Sequence, residues 1–196
     1  MSIDAKLARA LVATGLALVF AVMPACKRAP EEPAPAAGPG TAEPELDLVT
    51  LDLPLSNLDL GVTLTAAPTG MVATYNDGPA IEVVDPRRPN LRFTFFADLA
   101  GLPFRSPATV ADFEGFIGKH NQGRLTDDGD LETALGPATW ANGSYFEEDQ
   151  SFEDLRVFVA HPSGTGTLIV AAVGPEGVSS LEERLAVIQE LLTFVS

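Results

Sequence analysis

Residues 138–173 read ATWANGSY FEEDQSFED LRVFVA HPSGTG TLIVAAV, and this stretch decides the fold class. Three runs within it are rich in β-branched, aromatic or alternating apolar residues, which favour strands: Ala138–Tyr145, Leu155–Ala160 and Thr167–Val173. The acidic segment Glu147–Asp154 joins the first two runs, and the Pro- and Gly-rich segment His161–Gly166 joins the last two. Strands that follow one another without an intervening helix predict an antiparallel sheet.

Four runs upstream also have the residue pattern of strands: Gly61–Ala66, Met71–Tyr75, Ala80–Val84 and Leu91–Phe96. Asn76-Asp77-Gly78 lies between the second and third of these runs, and these residue types tolerate the positive φ of a hairpin turn. Asp85–Asn90 contains two prolines, which exclude a central strand and indicate a loop. The first half of the domain is therefore predicted to be a strand meander.

Two helices are predicted beside the strands. The first takes Ser106 as its N-cap and Pro107 as its first residue, and it stops near Asn121 and Gly123. The second opens at Ser179, with Glu182 completing a capping box. The apolar residues of both helices recur at helical spacing: Val110, Phe113, Phe116 and Ile117 in the first, and Leu181, Leu185, Ile188, Leu192 and Val195 in the second. We therefore predict an α+β fold, an antiparallel β-sheet flanked by helices, in one domain over residues 46–196.

The order of these elements resembles that of the PsbP/Mog-type domain. Two stretches carry the resemblance: Leu60–Gly70, LGVTLTAAPTG, a strand that ends in a Pro–Gly turn, and the closing helix Leu181–Val195. The resemblance covers Leu58–Ser196 and implies an α-β-α sandwich. It also implies a binding role, because the family has members that bind other proteins and shares no catalytic residues.

The aromatic residues are predicted to belong to the core. Trp140 and Tyr145 are five positions apart in one strand, so they lie on opposite faces of the sheet, whereas Phe93 and Phe95 share a face. Phe113 and Phe116 meet on the first helix. The alternative for such an aromatic stripe is a ligand pocket, which requires an apolar cavity between sheet and helix.

The N-terminus has the pattern of an export signal. Lys6 and Arg9 precede an uncharged apolar run over residues 10–26 that is too short, and too broken by Pro24, for a membrane span. Met23-Pro24-Ala25-Cys26 resembles the bacterial lipoprotein signal, in which the cysteine receives the lipid. This resemblance predicts a signal peptide over residues 1–25 and a diacylglyceryl group, with fatty acids such as palmitate, on Cys26. An ordinary cleaved signal and an uncleaved anchor are the alternatives.

Residues 26–45 are rich in Pro, Ala, Gly and Glu and contain no large apolar residue, so they are predicted to be an extended linker. The chain has 12 Lys and Arg against 27 Asp and Glu, a net charge of −15. This charge argues against nucleic acid as a partner and against adhesion to anionic lipid through a basic patch. Its single cysteine excludes an internal disulfide. The predicted anchor is therefore the lipid on Cys26.

The sequence offers little for catalysis, and we predict no enzyme and no cofactor. His120 is placed at the end of the first helix and His161 at the start of a turn, and neither has an evident partner for acid–base chemistry. Ser163 does not stand in a G-x-S-x-G motif, and phosphate-binding glycine motifs are absent from the sequence. An envelope hydrolase remains an alternative of another class.

Charged residues form three clusters. Asp127, Asp128, Asp130 and Glu132 around Gly129 are read as a solvated turn that lacks the calcium-loop spacing, so no metal site is predicted. The Glu147–Asp154 cluster is read as a solvated connection, with a cation or a basic partner as the alternative. Arg87 and Arg88 form the basic spot of an acidic domain and are the candidate partner-binding residues, although they can also balance local acid.

We therefore predict a bacterial envelope lipoprotein, anchored to the membrane through Cys26, whose domain is a binding or accessory module for an envelope protein. Lys27 replaces the Asp that retains lipoproteins of enteric bacteria in the inner membrane, which favours the outer membrane, periplasmic or surface-exposed. A carrier of small hydrophobic ligands is the second alternative.

Overall fold

The computed structural model describes residues 48–99 and 107–196. The chain divides into two units, Met1–Glu43 and Pro44–Ser196, and all described residues belong to the second. The predicted signal peptide, Cys26, the linker and the predicted cap Ser106 lie outside the described residues. The predicted domain start at Leu46 also lies outside them and stays a prediction.

Within the described residues the chain forms nine strands and two helices. In chain order they are β1 (Leu55–Asn57), β2 (Val62–Leu64), β3 (Val72–Asp77), β4 (Ala80–Val84), β5 (Arg92–Asp98), α1 (Val110–Ile117), β6 (Asn121–Thr133), β7 (Gly136–Glu147), β8 (Gln150–Ala160), β9 (Thr167–Pro175) and α2 (Leu181–Thr193).

Seven strands form one sheet in the order β3-β4-β5-β9-β8-β7-β6, and every neighbouring pair is antiparallel. The predicted α+β class, an antiparallel sheet with helices, is confirmed. Most neighbours in the sheet are also neighbours in sequence and pair as hairpins. β9 is different, because it lies beside β5 and aligns Val170 with Phe95. That pairing joins the meander β3–β5 to the meander β6–β9.

The two helices cover opposite faces of the sheet. Val157 packs in the core beneath α2, and the next residue, Phe158, packs in the core beneath α1. Trp140 contacts the α2 core and Tyr145 belongs to the α1 core, so their predicted placement on opposite faces is confirmed. Phe93 and Phe95 both belong to the α2 core, as their spacing predicts.

The strand predicted over Gly61–Ala66 is shorter than expected and lies outside the main sheet. β2 pairs with β1 in a separate two-stranded sheet. Backbone hydrogen bonds in both directions join Thr63 to Ser196 after α2, and Val62 and Leu64 pack in the α2 core. The prediction that this strand belongs to the meander is wrong, because its apolar residues pack beside the end of α2.

Both helices begin later than predicted, α1 by three residues and α2 by one. Thr109, not Ser106, caps α1, and its side chain accepts a hydrogen bond from the backbone N–H of Asp112. α1 ends with Gly118 as its C-cap, before the predicted stop at residues 121–123. α2 is capped by Ser180, whose hydroxyl and backbone form a capping box with Glu183, one residue later than predicted. Ser179 is used differently, because its hydroxyl oxygen accepts a hydrogen bond from Arg184.

The largest error concerns the acidic segments. Asp127–Glu132 was predicted to be a turn but lies within β6, a 13-residue strand at the edge of the sheet. The connection between β7 and β8 is only Glu148 and Asp149, both at positive φ, as in a tight hairpin turn. Glu153 and Asp154 belong to β8. Charged side chains are common on exposed edge strands, so composition alone does not separate such a strand from a loop.

Candidate functional site

Arg87 and Arg88 lie on the loop between β4 and β5, beside a buried carboxylate. The side chain of Asp85 is 5% exposed, and its oxygens accept hydrogen bonds from the backbone N–H, Nε and Nη2 of Arg87 at 3.0–3.1 Å. Nε of Arg88 lies 3.5 Å from the same carboxylate. Burial raises the pKa of Asp85, but the hydrogen bonds and charges of the two arginines outweigh it, so the pKa lies below its ordinary value.

This arrangement holds two guanidinium groups at the surface in a fixed position. The Arg87 side chain is 78% exposed, although one edge of its guanidinium is bound to Asp85. Its remaining N–H donors are available to a carboxylate or phosphate. Arg88 is more covered, and its Nη1 lies 3.9 Å from Glu183 at the start of α2. The two arginines therefore balance local acid, as the alternative interpretation expects, and Arg87 presents the more accessible cation.

His161 is a buried residue of the loop between β8 and β9, and it contacts both that loop and the turn between β1 and β2. It is 2% exposed, and Nε2 lies 2.7 Å from the carbonyl oxygen of Leu60, which only accepts, so Nε2 carries a proton. Nδ1 accepts hydrogen bonds from the backbone N–H of Ser163 at 3.1 Å and from its hydroxyl at 2.8 Å. These contacts fasten the loop between β8 and β9 to the turn between β1 and β2.

His120 is exposed and lies three residues beyond the last residue of α1, although it was predicted at the end of that helix. Its ring centroid lies 5.0 Å from that of Phe116 and 4.7 Å from that of Tyr145. The structure does not bring the two histidines together, because one belongs to the α1 side of the sheet and the other to the loop that contacts Leu60.

A buried ion pair beneath α1 escaped the sequence analysis. Asp154 and Arg156 share one face of β8, with Nη2 2.8 Å from Oδ2, and the guanidinium carbon lies 4.5 Å and 5.0 Å from the ring centroids of Phe116 and Phe113. Burial raises the pKa of Tyr145 nearby, as does the charge of Asp154. The D-x-R spacing was the available signal, since residues two apart in a strand share a face.

A second buried arginine, Arg184, joins α2 to the sheet. It is 1% exposed, its Nε donates to the hydroxyl of Ser179 at 2.8 Å, and its Nη2 pairs with Glu153 of β8. Its Nη1 has no hydrogen-bond partner within the described part of the chain. Helical spacing from Leu181 and Ile188 places residue 184 on the buried face, so periodicity contained this signal.

Apolar side chains of α2 pack against the sheet. Ile188, Leu191 and Leu192 have no exposed surface and pack on apolar residues of the central strands. A carrier of hydrophobic ligands would need a cavity at this place, and these three side chains lie where that cavity would be.

Among residues 48–99 and 107–196, no three Cys, His, Asp or Glu side chains converge to hold a metal ion. In the same residues, no helix has both the length and the apolar character needed to cross a membrane.

Comparisons with known proteins give similarities of fold. No family model and no curated protein matches the sequence. LpqN of Mycobacterium tuberculosis, described as involved in cell envelope biogenesis, is 15% identical, with 68% of this chain and 78% of that chain covered and a TM-score of 0.42. PA94 of Pseudomonas aeruginosa, a protein of unknown function described as a putative regulator, is 15% identical over 67% of this chain and 87% of that chain, with a TM-score of 0.39. The Ran-binding protein Mog1p of Saccharomyces cerevisiae is 9% identical over 71% of this chain and 89% of that chain, with a TM-score of 0.45. A Mog-type protein, whose domain the element order resembles, is therefore among the structures to which this chain is similar, and the similarity is one of fold alone.

Proposed function

We propose that this protein is a lipoprotein of the bacterial envelope, anchored through a lipid on Cys26, whose domain acts by binding another envelope protein and not by catalysis. The observation that carries the proposal is the position of Cys26 at the end of an apolar export run, ahead of a Pro-rich linker and a folded domain. One acyl chain gives only marginal anchoring, and a diacylglyceryl group supplies two. Lys27 supports the outer membrane as the location.

Two observations on the described residues support a binding role over a catalytic one. Asp85 holds Arg87 in a fixed orientation with most of its side chain exposed, so an anionic group on a partner finds donors that are already positioned. Both nitrogens of His161 are engaged in contacts that fasten two loops together, which is a structural use of the ring.

Membrane fractionation tests the anchor. Wild-type protein is expected in the membrane fraction, and Cys26→Ser is expected to be unprocessed or soluble. Mass spectrometry of the mature protein is expected to find Cys26 as the lipidated first residue. An unmodified Cys26, or an N-terminus elsewhere, would contradict the anchor.

Crosslinking in intact envelopes tests the binding role. The crosslink between the wild type and its partner should be weakened or lost in the double variant Arg87→Gln/Arg88→Gln. The variant must melt within a few degrees of the wild type for this comparison. Arg92→Gln is the matched control, because Arg92 is also an exposed arginine paired with an acid, Glu82. Equal crosslinking in all three proteins would remove these arginines from the binding surface.

A further inference from the structure

A groove lies on the face of the sheet that α1 occupies, near the far end of the edge strand β6. It has a volume of about 530 Å³ and is lined from this face by Asp130, Glu132, Pro137, Thr139 and Phe158, whereas Leu131 and Ala138, which also border it, pack in the α2 core. α1 packs on another part of β7, where Ile117 sits over Gly143. Gly143 and Thr139 are four positions apart in the strand, which is a distance of about 13 Å. The groove is therefore a part of this face beside α1 and not beneath it.

Strand register explains the chemistry of the groove. Asp130 pairs with Thr139 of β7, and Thr139 pairs with Phe158 of β8, so these three side chains form one row across the sheet. Phe158 is 4% exposed and belongs to the α1 core, so it forms the apolar floor beside the polar side chain of Thr139. Asp130 and Glu132 are both exposed at the rim.

The carboxylates at the rim have no cation of their own within the described residues. Asp128, Asp130 and Glu132 share one face of β6, about 7 Å apart in succession, and their partners on β7 are Ala141, Thr139 and Pro137. The ion pairs between described residues use carboxylates in other parts of the domain: Glu82, Asp85, Glu153, Asp154 and Glu183. Like charges about 7 Å apart along an exposed strand repel one another weakly in water, and a cation that faces them relieves this repulsion.

We propose that this groove binds a positively charged segment of a partner protein, with an Arg or Lys side chain seated between the rim carboxylates and the floor. The aliphatic part of such a side chain would lie on Thr139 and Phe158, and its charge would face Asp130 and Glu132. β6 is the last strand of the sheet, so an extended segment can approach from the side. The proposal rests on the proposed binding function and adds the chemistry of a partner at a surface distant in sequence from Arg87 and Arg88.

Peptide binding to the full chain in non-ionic detergent tests this inference. The probe is a fluorescein-labelled octapeptide of alternating Arg and Thr, whose binding is measured at low ionic strength. The corresponding peptide of alternating Glu and Thr, and detergent micelles without protein, serve as negative controls. The double variant Asp130→Asn/Glu132→Gln is expected to weaken binding about tenfold. Thr139→Lys, which fills the groove from an exposed position with a cation, is expected to weaken it similarly.

The matched control is Glu182→Gln/Glu190→Gln on α2, which makes the same change in net charge on the other face of the sheet. It is expected to change the affinity for the peptide by less than about twofold once the non-specific attraction to net charge, measured from the salt dependence of binding, has been subtracted. Equal loss in the control and the groove variant would show diffuse attraction and overturn the proposal. Self-association of the wild type that disappears in the groove variant would assign the groove to a second copy, and would also overturn it. Neither result depends on lipidation of Cys26, so the test separates this inference from the proposed anchor.

Discussion

Replacement of Arg156 by Met should destabilise the protein severely, because it leaves the carboxylate of Asp154 buried without its ion-pair partner. Asp154 is 3% exposed, and Arg156 approaches it to 2.8 Å. Removing one member of a buried pair costs about 3–5 kcal/mol, and loss of the contact with the Phe113 and Phe116 rings adds to this. For a domain whose total stability is about 5–15 kcal/mol, that is a large fraction.

Urea unfolding followed by tryptophan fluorescence measures the effect. The protein has one tryptophan, Trp140, which contacts the α2 core and therefore reports global unfolding instead of local loosening of α1. With a slope of about 2 kcal/mol per molar urea, the midpoint of Arg156→Met should fall by about 2 M. Arg92→Met is the control, because Arg92 pairs with Glu82 at 3.3 Å but is 61% exposed. The control should lose less than about 1 kcal/mol.

A compensating variant separates the buried charge from simple loss of packing. Arg156→Met/Asp154→Leu removes both charges, and replacing a buried pair by apolar residues is often neutral. The double variant should therefore recover at least about half of the lost stability. A loss below about 1 kcal/mol in Arg156→Met, or no recovery in the double variant, would refute the reasoning.

Two further predictions concern a close backbone approach at the start of β6 and a titrating group. A Cβ at Gly123 would collide with the backbone carbonyl oxygen of Ile117, so Gly123→Ala should lose about 2–3 kcal/mol in a urea or thermal melt. A Cβ at Gly115 has no atom within 4 Å, so Gly115→Ala should be neutral or stabilising, and equal melting of the two variants would contradict the close approach. Folding lowers the pKa of Asp85 from its ordinary value of 3.8, so its contribution is complete above that value and is lost as the pH falls through the lower folded value. The difference in melting temperature between wild type and Asp85→Asn should therefore shrink as the pH falls from about 5 to about 2. A difference that stays constant would show that Asp85 does not stabilise the protein through its negative charge.

The parts of the fold that were predicted correctly have local signals. The hairpin of β3 and β4 turns at Gly78, whose φ is 51° and whose residue type favours that conformation. Trp140 and Tyr145 lie on opposite faces because the two-residue period of a strand is a property of the backbone. The caps of both helices were misplaced because several Ser and Thr residues compete for the position, and the choice depends on which hydroxyl the rest of the fold requires.

The candidate partner-binding residues were likewise predicted from the sequence in identity but not in position. The sequence identified Arg87 and Arg88 as a basic spot, but their positions follow from the buried carboxylate of Asp85, which both contact, and from Glu183 at the start of α2, which contacts Arg88. The groove on β6 was not predicted, because its row of Asp130, Thr139 and Phe158 comes from three strands and exists only in the correct register.

The sequence by itself determined the export and lipid-anchor prediction, the acidic charge, the α+β class and the apolar faces of the main elements, since each depends on neighbouring residues or on a short period. The tertiary structure alone decided that β9 joins β5, about 75 residues away along the chain, that β2 leaves the main sheet, and that Asp154, Arg156 and Arg184 become buried. The physical reason is that burial and strand pairing are set by contacts between distant segments, whose energies of packing and desolvation override local composition.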